Sequence, residues 1–111
     1  MSKALVEKMR KARDQNVTVD GHTYIVRRPR DGDLREMPDS STFEFVKRFV
    51  VGWDFKELDL IPGGGPEPVE FEPFLWTEWA ADHAEVWEEL AAPMLDAYTK
   101  HKEAVRATEK N

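Results

Sequence analysis

The spacing of apolar residues changes along the chain from helical to strand-like and back, and it predicts an α+β fold. A short amphipathic helix is predicted within residues 1–14, where the apolar positions at helical spacing are Leu5, Val6, Met9 and Ala12. Residues 17–28 alternate on both sides of Asp20-Gly21, a pair that tolerates the positive φ angles of a type I′ turn. This segment is predicted to be an antiparallel β-hairpin.

The two-residue turn also predicts the register of the hairpin. It places Val19 opposite His22 and Val17 opposite Tyr24, and side chains alternate between the two faces of a strand. One face then carries Val17, Val19, Tyr24 and Val26. We expect this face to pack against the helices.

The middle of the chain is predicted to hold a helical turn, a helix and a long loop. Residues 31–37 can form the short helical turn, which Pro38 ends. A helix is predicted over residues 39–52, because apolar residues recur there at steps of three and four up to Gly52. These apolar residues are Phe43, Val46, Phe49 and Val50. Residues 53–71 include three consecutive glycines and are predicted to be a flexible loop.

The last third of the chain is predicted to be helical. Pro73 marks a helix start, since proline at the first helical position loses no hydrogen bond, and helices are expected over residues 72–100. Asp82 is predicted to cap the last helix, and Pro93 is predicted to kink or divide it. Residues 101–111 are polar and are predicted to be a frayed tail.

Length and residue types indicate one cytoplasmic domain. A chain of 111 residues fits a single domain with a modest core, at a size where self-association often adds burial. Apolar runs stay well below the roughly 18 residues of a membrane span, and the N-terminus lacks the apolar region of a secretory signal. Cysteine is absent, which removes disulfides and thiolate sites. We therefore expect a soluble, self-associating protein with about four helices and one N-terminal antiparallel β-hairpin.

The charges are distributed unevenly along the chain. Residues 1–35 carry nine Lys or Arg and five Asp or Glu, whereas residues 36–111 carry seven and seventeen, which together give the net charge of −6. Residues 54–96 alone contain twelve acids and a single base, Lys56. A long acidic stretch repels phosphate backbones, so nucleic-acid binding is not expected. The same asymmetry permits head-to-tail attraction between copies of the chain.

Residue types that carry chemistry are present without the spacing that the chemistry needs. His22, His83 and His101 do not form the i, i+4 pair that binds a metal on one helix face. The glycines at 63–65 are followed by proline and glutamate, where a phosphate-binding loop needs Lys and Ser or Thr. His83 beside Asp82 could be an oriented base, although helix capping is the commoner role for such an aspartate. We expect no catalytic, cofactor or metal site and no enzymatic activity.

Two sets of residues are candidates for binding a protein partner. Arg27, Arg28 and Arg30 lie where the second hairpin strand ends, and they could hold phosphate or, in the favoured interpretation, an acidic protein surface. Trp53 lies beside the loop, and tryptophan is enriched at interface hot spots. The tryptophans assigned instead to the core are Trp76 and Trp79.

Three short fragments occur in an order typical of one protein family. They are an Arg-Arg-Pro strand exit at residues 27–29, a hydrophobic-Gly-Trp helix end at residues 51–53 and a phenylalanine before the next helix, Phe71. Over roughly residues 17–99 the chain resembles the small tail assembly chaperones of long-tailed bacteriophages. Because Trp53 and Phe71 flank the predicted loop, both are candidate partner contacts.

The resemblance implies a role in virus assembly without catalysis. Such proteins bind the long helical tape measure protein in the cytoplasm of the host bacterium, keep it soluble and help the tail-tube protein assemble around it. A chaperone of this kind is expected to be absent from the finished virion. Two alternatives stay open. One is a structural tail or head-tail joining protein, and the weaker one is a small nucleic-acid-binding regulator that uses the N-terminal bases.

Overall fold

The computed structural model describes residues 2–109 and has an α+β architecture. One three-stranded antiparallel sheet is present in this part of the chain, with the strand order β1-β2-β3. The strands are β1 (Asp14–Val19), β2 (His22–Arg27) and β3 (Val50–Trp53). The helices are α1 (Ser2–Lys11), α2 (Asp31–Glu36), α3 (Thr42–Phe49), α4 (Glu57–Leu60), α5 (Pro73–Ala81) and α6 (Trp87–Glu109), with a 3-10 turn at Ala84–Val86. The α+β class is confirmed, but the described residues form six α-helices instead of about four.

The predicted hairpin and its register are confirmed. Asp20 and Gly21 have φ angles of 51° and 82°, as a type I′ turn requires. Val17 pairs with Tyr24, and Val19 pairs with His22. On the face expected to pack against the helices, the buried side chains are Val19, Tyr24 and Val26.

The helix predicted over residues 39–52 is wrong at its C-terminal end. Ser41 caps α3 by accepting a hydrogen bond from the backbone N–H of Glu44, but the helix ends at Phe49. The next four residues form β3, which pairs antiparallel with β2 and leaves β2 in the centre of the sheet. A two-stranded hairpin alone is only marginally stable. The stability gained by adding β3 to the sheet therefore outweighs the preference for helix that the apolar spacing indicates.

The segment 53–71, predicted to be a flexible loop, is ordered by backbone hydrogen bonds. Phe55 accepts a bond of 2.9 Å from the N–H of Val69, and the N–H of Glu57 donates to the carbonyl of Glu67 over 3.0 Å. The short helix α4 lies in the loop that these bonds close. Phe55 is only 1% exposed. Burial of this ring ties the segment to the core, which the polar and glycine-rich sequence did not reveal.

The C-terminal third follows the prediction at its start and departs from it later. Helix α5 begins with Pro73 at its first turn, as predicted. Asp82 is the C-terminal cap residue of α5 and does not cap the last helix. Pro93 lies inside α6 and does not divide it. Pro93 has no backbone N–H to donate to the carbonyl of Glu89. Because Glu89 is exposed, water can bond to that carbonyl instead.

The tail predicted to be frayed is helical through Glu109. Helix α6 is anchored there by Asp31, which accepts hydrogen bonds from the Tyr98 hydroxyl (2.6 Å) and from Lys102 Nζ (3.0 Å). These contacts join residues far apart in the sequence, which local polarity cannot predict. Met1, Lys110 and Asn111, which the predicted N-terminal helix and tail included, lie outside the described residues.

The core lies between the sheet and helices α3, α5 and α6. Trp76 is fully buried there, and its indole N–H donates to the carbonyl of Val46 over 2.8 Å. The core assignment of Trp76 is confirmed, and Trp79 packs against the same core while partly exposed. Within residues 2–109, none of the helices combines the length and apolarity needed to cross a membrane.

Candidate functional site

The two predicted aromatic contacts, Trp53 and Phe71, touch each other. Their rings meet edge to face with centroids 5.2 Å apart. The Trp53 ring also stacks on Phe55 at 4.7 Å, and its indole N–H donates to the carbonyl of Val69 over 2.7 Å. Both predicted contact residues are partly buried against the core. Their role in partner binding stays a prediction, but both have a packing role in the fold.

The arginines at the end of β2 have different surroundings. Arg27 forms two hydrogen bonds to Asp14, of 2.7 and 3.1 Å. Arg30 binds both oxygens of Asp33 through its guanidinium, at 3.0 and 2.8 Å. Arg28 donates to the backbone carbonyl of its neighbour Pro29. Two of the three predicted cations are therefore already paired with carboxylates of the same chain.

Asp33 is a buried carboxylate that sequence reasoning missed. In addition to Arg30, it accepts a 2.8 Å hydrogen bond from Arg48 on α3. The hydrogen bond from the Arg30 side chain is the largest influence that lowers the pKa of Asp33, to about 2. The only sequence signal was the i, i+3 spacing of Arg30 and Asp33, because the contact to Arg48 depends on how α3 packs.

Arg13 belongs to the same cationic region. The backbone N–H of Arg28 donates to its carbonyl over 2.9 Å, which places the two residues side by side. Its guanidinium makes no side-chain hydrogen bond or ion pair with any residue between 2 and 109. Partial burial, followed by the charges of Arg30 and Arg27, lowers its pKa below the ordinary value, although the charge of Asp33 acts in the opposite direction. An anion from outside the chain would relieve this crowding of like charges.

A groove with an acidic rim lies between α4 and α5. It has a volume of about 500 Å³, and the apolar residues that line it include Leu60, Ile61, Leu75 and Trp79. Glu78 and Asp82 lie on its wall. Ile61 is 54% exposed, and Phe74, the residue before Leu75, is 84% exposed. We call this surface the acidic groove.

A second groove has the opposite charge. It has a volume of about 620 Å³ and is lined on one side by Val6, Met9 and Ala12, in or just after α1. Its cationic residues are Arg10, Arg13, Arg28 and Arg30. Helix α1 has no buried residue, and Leu5 and Met9 are 62% and 64% exposed. We call this surface the basic groove.

The two grooves lie at different positions along α6. His83, just before that helix, lines the acidic groove, whereas His101 lines the basic groove. The helix rises about 21 Å between Trp87 and His101, at about 1.5 Å per residue. The molecule therefore presents two apolar surfaces of opposite charge, about 21 Å apart along α6.

Sequence reasoning missed the acidic groove and found only half of the basic one. The exposed apolar stripe of α1 was visible from the helical spacing of Leu5 and Met9. The acidic groove combines Ile61 with Leu75, from segments whose packing depends on the buried Phe55. The excess of acids between residues 54 and 96 was the only available signal.

Two of the three histidines singled out from the sequence, His83 and His22, have structural contacts. The His83 ring stacks on Trp79 with centroids 3.9 Å apart, and its Nδ1 lies 2.8 Å from the carbonyl oxygen of Trp79. His22 Nδ1 lies 3.2 Å from Asp54, and the ring packs against Phe55. Over residues 2–109, His, Asp and Glu side chains do not cluster in a group that could hold a metal ion.

Comparison with models of protein families, with curated proteins and with solved structures gives no match to this chain.

Proposed function

We propose that this protein is a tail assembly chaperone of a long-tailed bacteriophage, that it is not an enzyme, and that it binds the tape measure protein in the host cytoplasm. The observation that carries the proposal is the acidic groove, where exposed apolar side chains lie beside carboxylates on a small domain. The resemblance of residues 17–99 to that family supports the same function.

The chemistry of the acidic groove suits an amphipathic helix. Such a helix presents apolar residues at positions i, i+3, i+4 and i+7, and a groove of a few hundred Å³ accepts two or three of them. Ile61, Leu75 and Phe74 offer apolar contact area, and Glu78 and Asp82 favour a helix with flanking Lys or Arg. A tape measure protein exposes long apolar helical stripes, so many copies of the chaperone would cover one client. The tail-tube protein would then replace them.

The test is co-expression of this chain with the tape measure protein of the same virus. The soluble fraction of the tape measure protein should rise, and the two chains should purify together. Ile61→Arg should abolish the effect, whereas Leu95→Arg, at an exposed leucine on α6 outside both grooves, should retain it. A tape measure protein that stays insoluble and forms no complex would contradict the proposed function.

A second candidate function is a structural tail or head-tail joining subunit. It is favoured by the two grooves of opposite charge, since stacked copies in a finished tail need two different complementary surfaces. Mass spectrometry of purified virions separates the candidates, because a chaperone is absent from the particle and a structural subunit is present in many copies.

Nucleic-acid binding is not proposed. Arg27 and Arg30 are each bonded to a carboxylate of the same chain, and such pairs contribute less attraction to phosphate.

A further inference from the structure

We infer that copies of this chain associate head to tail, with the apolar face of α1 and the basic groove of one copy docking on the acidic groove of the next. This inference concerns the protein alone and goes beyond the proposed function. It predicts a specific contact between two different surfaces of the same chain.

The first argument is the exposure of the apolar face of α1. It is a ten-residue helix with no buried residue, although Leu5, Val6 and Met9 form an apolar stripe on it. Isolated helices of fewer than about 12 residues are marginal in water, so most helical stability comes from packing of the apolar face. The rest of the described chain covers this face only in part, since Leu5 and Met9 stay more than 60% exposed. A partner surface would therefore stabilise the helix itself.

The second argument is complementarity. The basic groove carries four arginines and no Asp or Glu on its lining, whereas the acidic groove carries Glu78 and Asp82 and no Lys or Arg. Arg13, which makes no ion pair or side-chain hydrogen bond within residues 2–109, would gain a carboxylate partner from the neighbouring copy. Leu5 and Met9 lie one helical turn apart, which is the spacing of anchors that enter a helix-binding groove. Across the proposed contact, apolar side chains therefore meet apolar side chains, and arginines meet carboxylates.

The third argument is connectivity, which excludes the same contact within one chain. Helix α1 ends at Lys11, and β1 begins at Asp14. The basic groove also includes Arg28 and Arg30, which lie at the end of β2, so it cannot move as a unit to the acidic groove of the same chain, about 21 Å away along α6. The basic and acidic grooves can therefore meet only between copies. Because the two surfaces differ, the contact is heterologous and can extend to rings or filaments.

The test uses full-length protein and two variants that each disable one surface. Leu5→Glu/Met9→Glu removes the apolar stripe of α1, and Ile61→Arg blocks the acidic groove. All three positions are more than half exposed, so both variants should keep the circular dichroism and melting temperature of the wild type. Leu95→Glu, at an exposed leucine outside both grooves, is the matched control.

Sedimentation velocity gives the expected results. The wild type and Leu95→Glu should exceed the monomer mass of 12.9 kDa as concentration rises, and added salt should reduce their association. Each single-surface variant should stay monomeric. An equimolar mixture of the two variants should form a species of twice the monomer mass, because one intact α1 and one intact groove remain to form a single contact.

Three results would overturn the inference. They are a wild type that stays monomeric up to about 1 mM, a single-surface variant that associates like the wild type, and a mixture that remains monomeric. The outcome is independent of the chaperone function, since the tape measure protein is absent. The α1 double variant also distinguishes self-association from the chaperone function. It should lose self-association and still solubilise the tape measure protein through its intact acidic groove.

Discussion

The ring of Trp53 lies flat on the ring of Phe55, with centroids 4.7 Å apart and ring planes 4° apart. This stack joins the last residue of β3 to the following segment, which has little regular structure. Phe55 in turn meets Tyr24 and Trp79 edge to face, at 5.6 and 4.8 Å. Trp53 is therefore part of the packing that holds the segment 53–71 against the sheet, whatever it contacts outside the chain.

Truncation of Trp53 should destabilise the fold. Trp53→Ala removes the stack on Phe55 and the edge contact with Phe71, and we expect a loss of about 2 to 3 kcal/mol in the free energy of unfolding. Trp53→Phe keeps an aromatic ring but loses the hydrogen bond to Val69, so a loss of about 1 kcal/mol is expected. Chemical denaturation monitored by far-UV circular dichroism measures both.

The control for this pair is Phe74→Ala. Phe74 is almost fully exposed, so its truncation should change the free energy of unfolding by less than about 0.5 kcal/mol. Equal stability of Trp53→Ala and the wild type would show that the stack contributes nothing to the fold and would leave partner binding as its role.

Gly52 should be essential for the packing of β3 against β2. A Cβ atom at this position would lie 2.7 Å from Cδ1 and 3.1 Å from Cβ of Ile25. Gly52→Ala is therefore expected to cost about 1 to 3 kcal/mol, the usual penalty for overpacking. Because most of the clash is with the branched side chain of Ile25, the double variant Gly52→Ala/Ile25→Ala should recover part of that loss, measured against Ile25→Ala alone.

Gly32→Ala is the matched control for Gly52. It lies in α2 with nothing within 4 Å of the added methyl group, and alanine favours helix. Its stability should equal or exceed that of the wild type. If Gly52→Ala were equally well tolerated, β3 would not pack on Ile25 as closely as described.

The elements that the sequence predicted well are those determined by local chemistry. The hairpin depends on Asp20-Gly21, and the start of α5 depends on Pro73, so both could be read from neighbouring residues. Strand β3 could not, because Val50 continues the helical spacing of α3 and becomes a strand residue only by pairing with Val26 of β2. Tertiary pairing overrode local periodicity at that point.

The candidate site was less predictable than the fold. The three arginines at the end of β2 were found by their spacing, but the sequence could not show that Asp14 and Asp33 neutralise two of them. Arg13, which remains unpaired within residues 2–109, lies in a different segment and reaches the cluster through a backbone hydrogen bond from Arg28. Contacts of this kind follow from strand pairing and appear only once the sheet is built.

Asp33 should make stability fall in acid. Its pKa in the folded protein, about 2, lies below its ordinary value of 3.8, so the carboxylate form favours the folded state. The contribution, about 2 kcal/mol, is complete above about pH 4 and is lost as the pH falls towards 2. Asp33→Asn should therefore lower stability at pH 7 and flatten this part of the pH profile, as measured by urea denaturation.

Glu36→Gln serves as the control for Asp33. Glu36 also bonds to Arg48, at 3.1 Å, but it is exposed, and exposed ion pairs contribute little. This variant should keep both the stability at pH 7 and the slope between pH 4 and pH 2. A wild-type pH profile in Asp33→Asn would mean that other carboxylates cause the loss of stability in acid.

Arg27 and Arg28 should respond differently to charge reversal. Arg27→Glu breaks two hydrogen bonds to Asp14 and places two carboxylates together, so a loss of about 1 to 2 kcal/mol in the free energy of unfolding is expected. Arg28→Glu breaks only a hydrogen bond to the adjacent Pro29 carbonyl and should leave the free energy of unfolding within about 0.5 kcal/mol of the wild type.

Because Arg28 lines the basic groove, its charge reversal should instead weaken the association of one copy with the acidic groove of another. Sedimentation of the variant at several concentrations, beside a thermal melt, measures both effects. Unchanged association would remove Arg28 from the contact, whereas a large loss of stability would assign it to the fold.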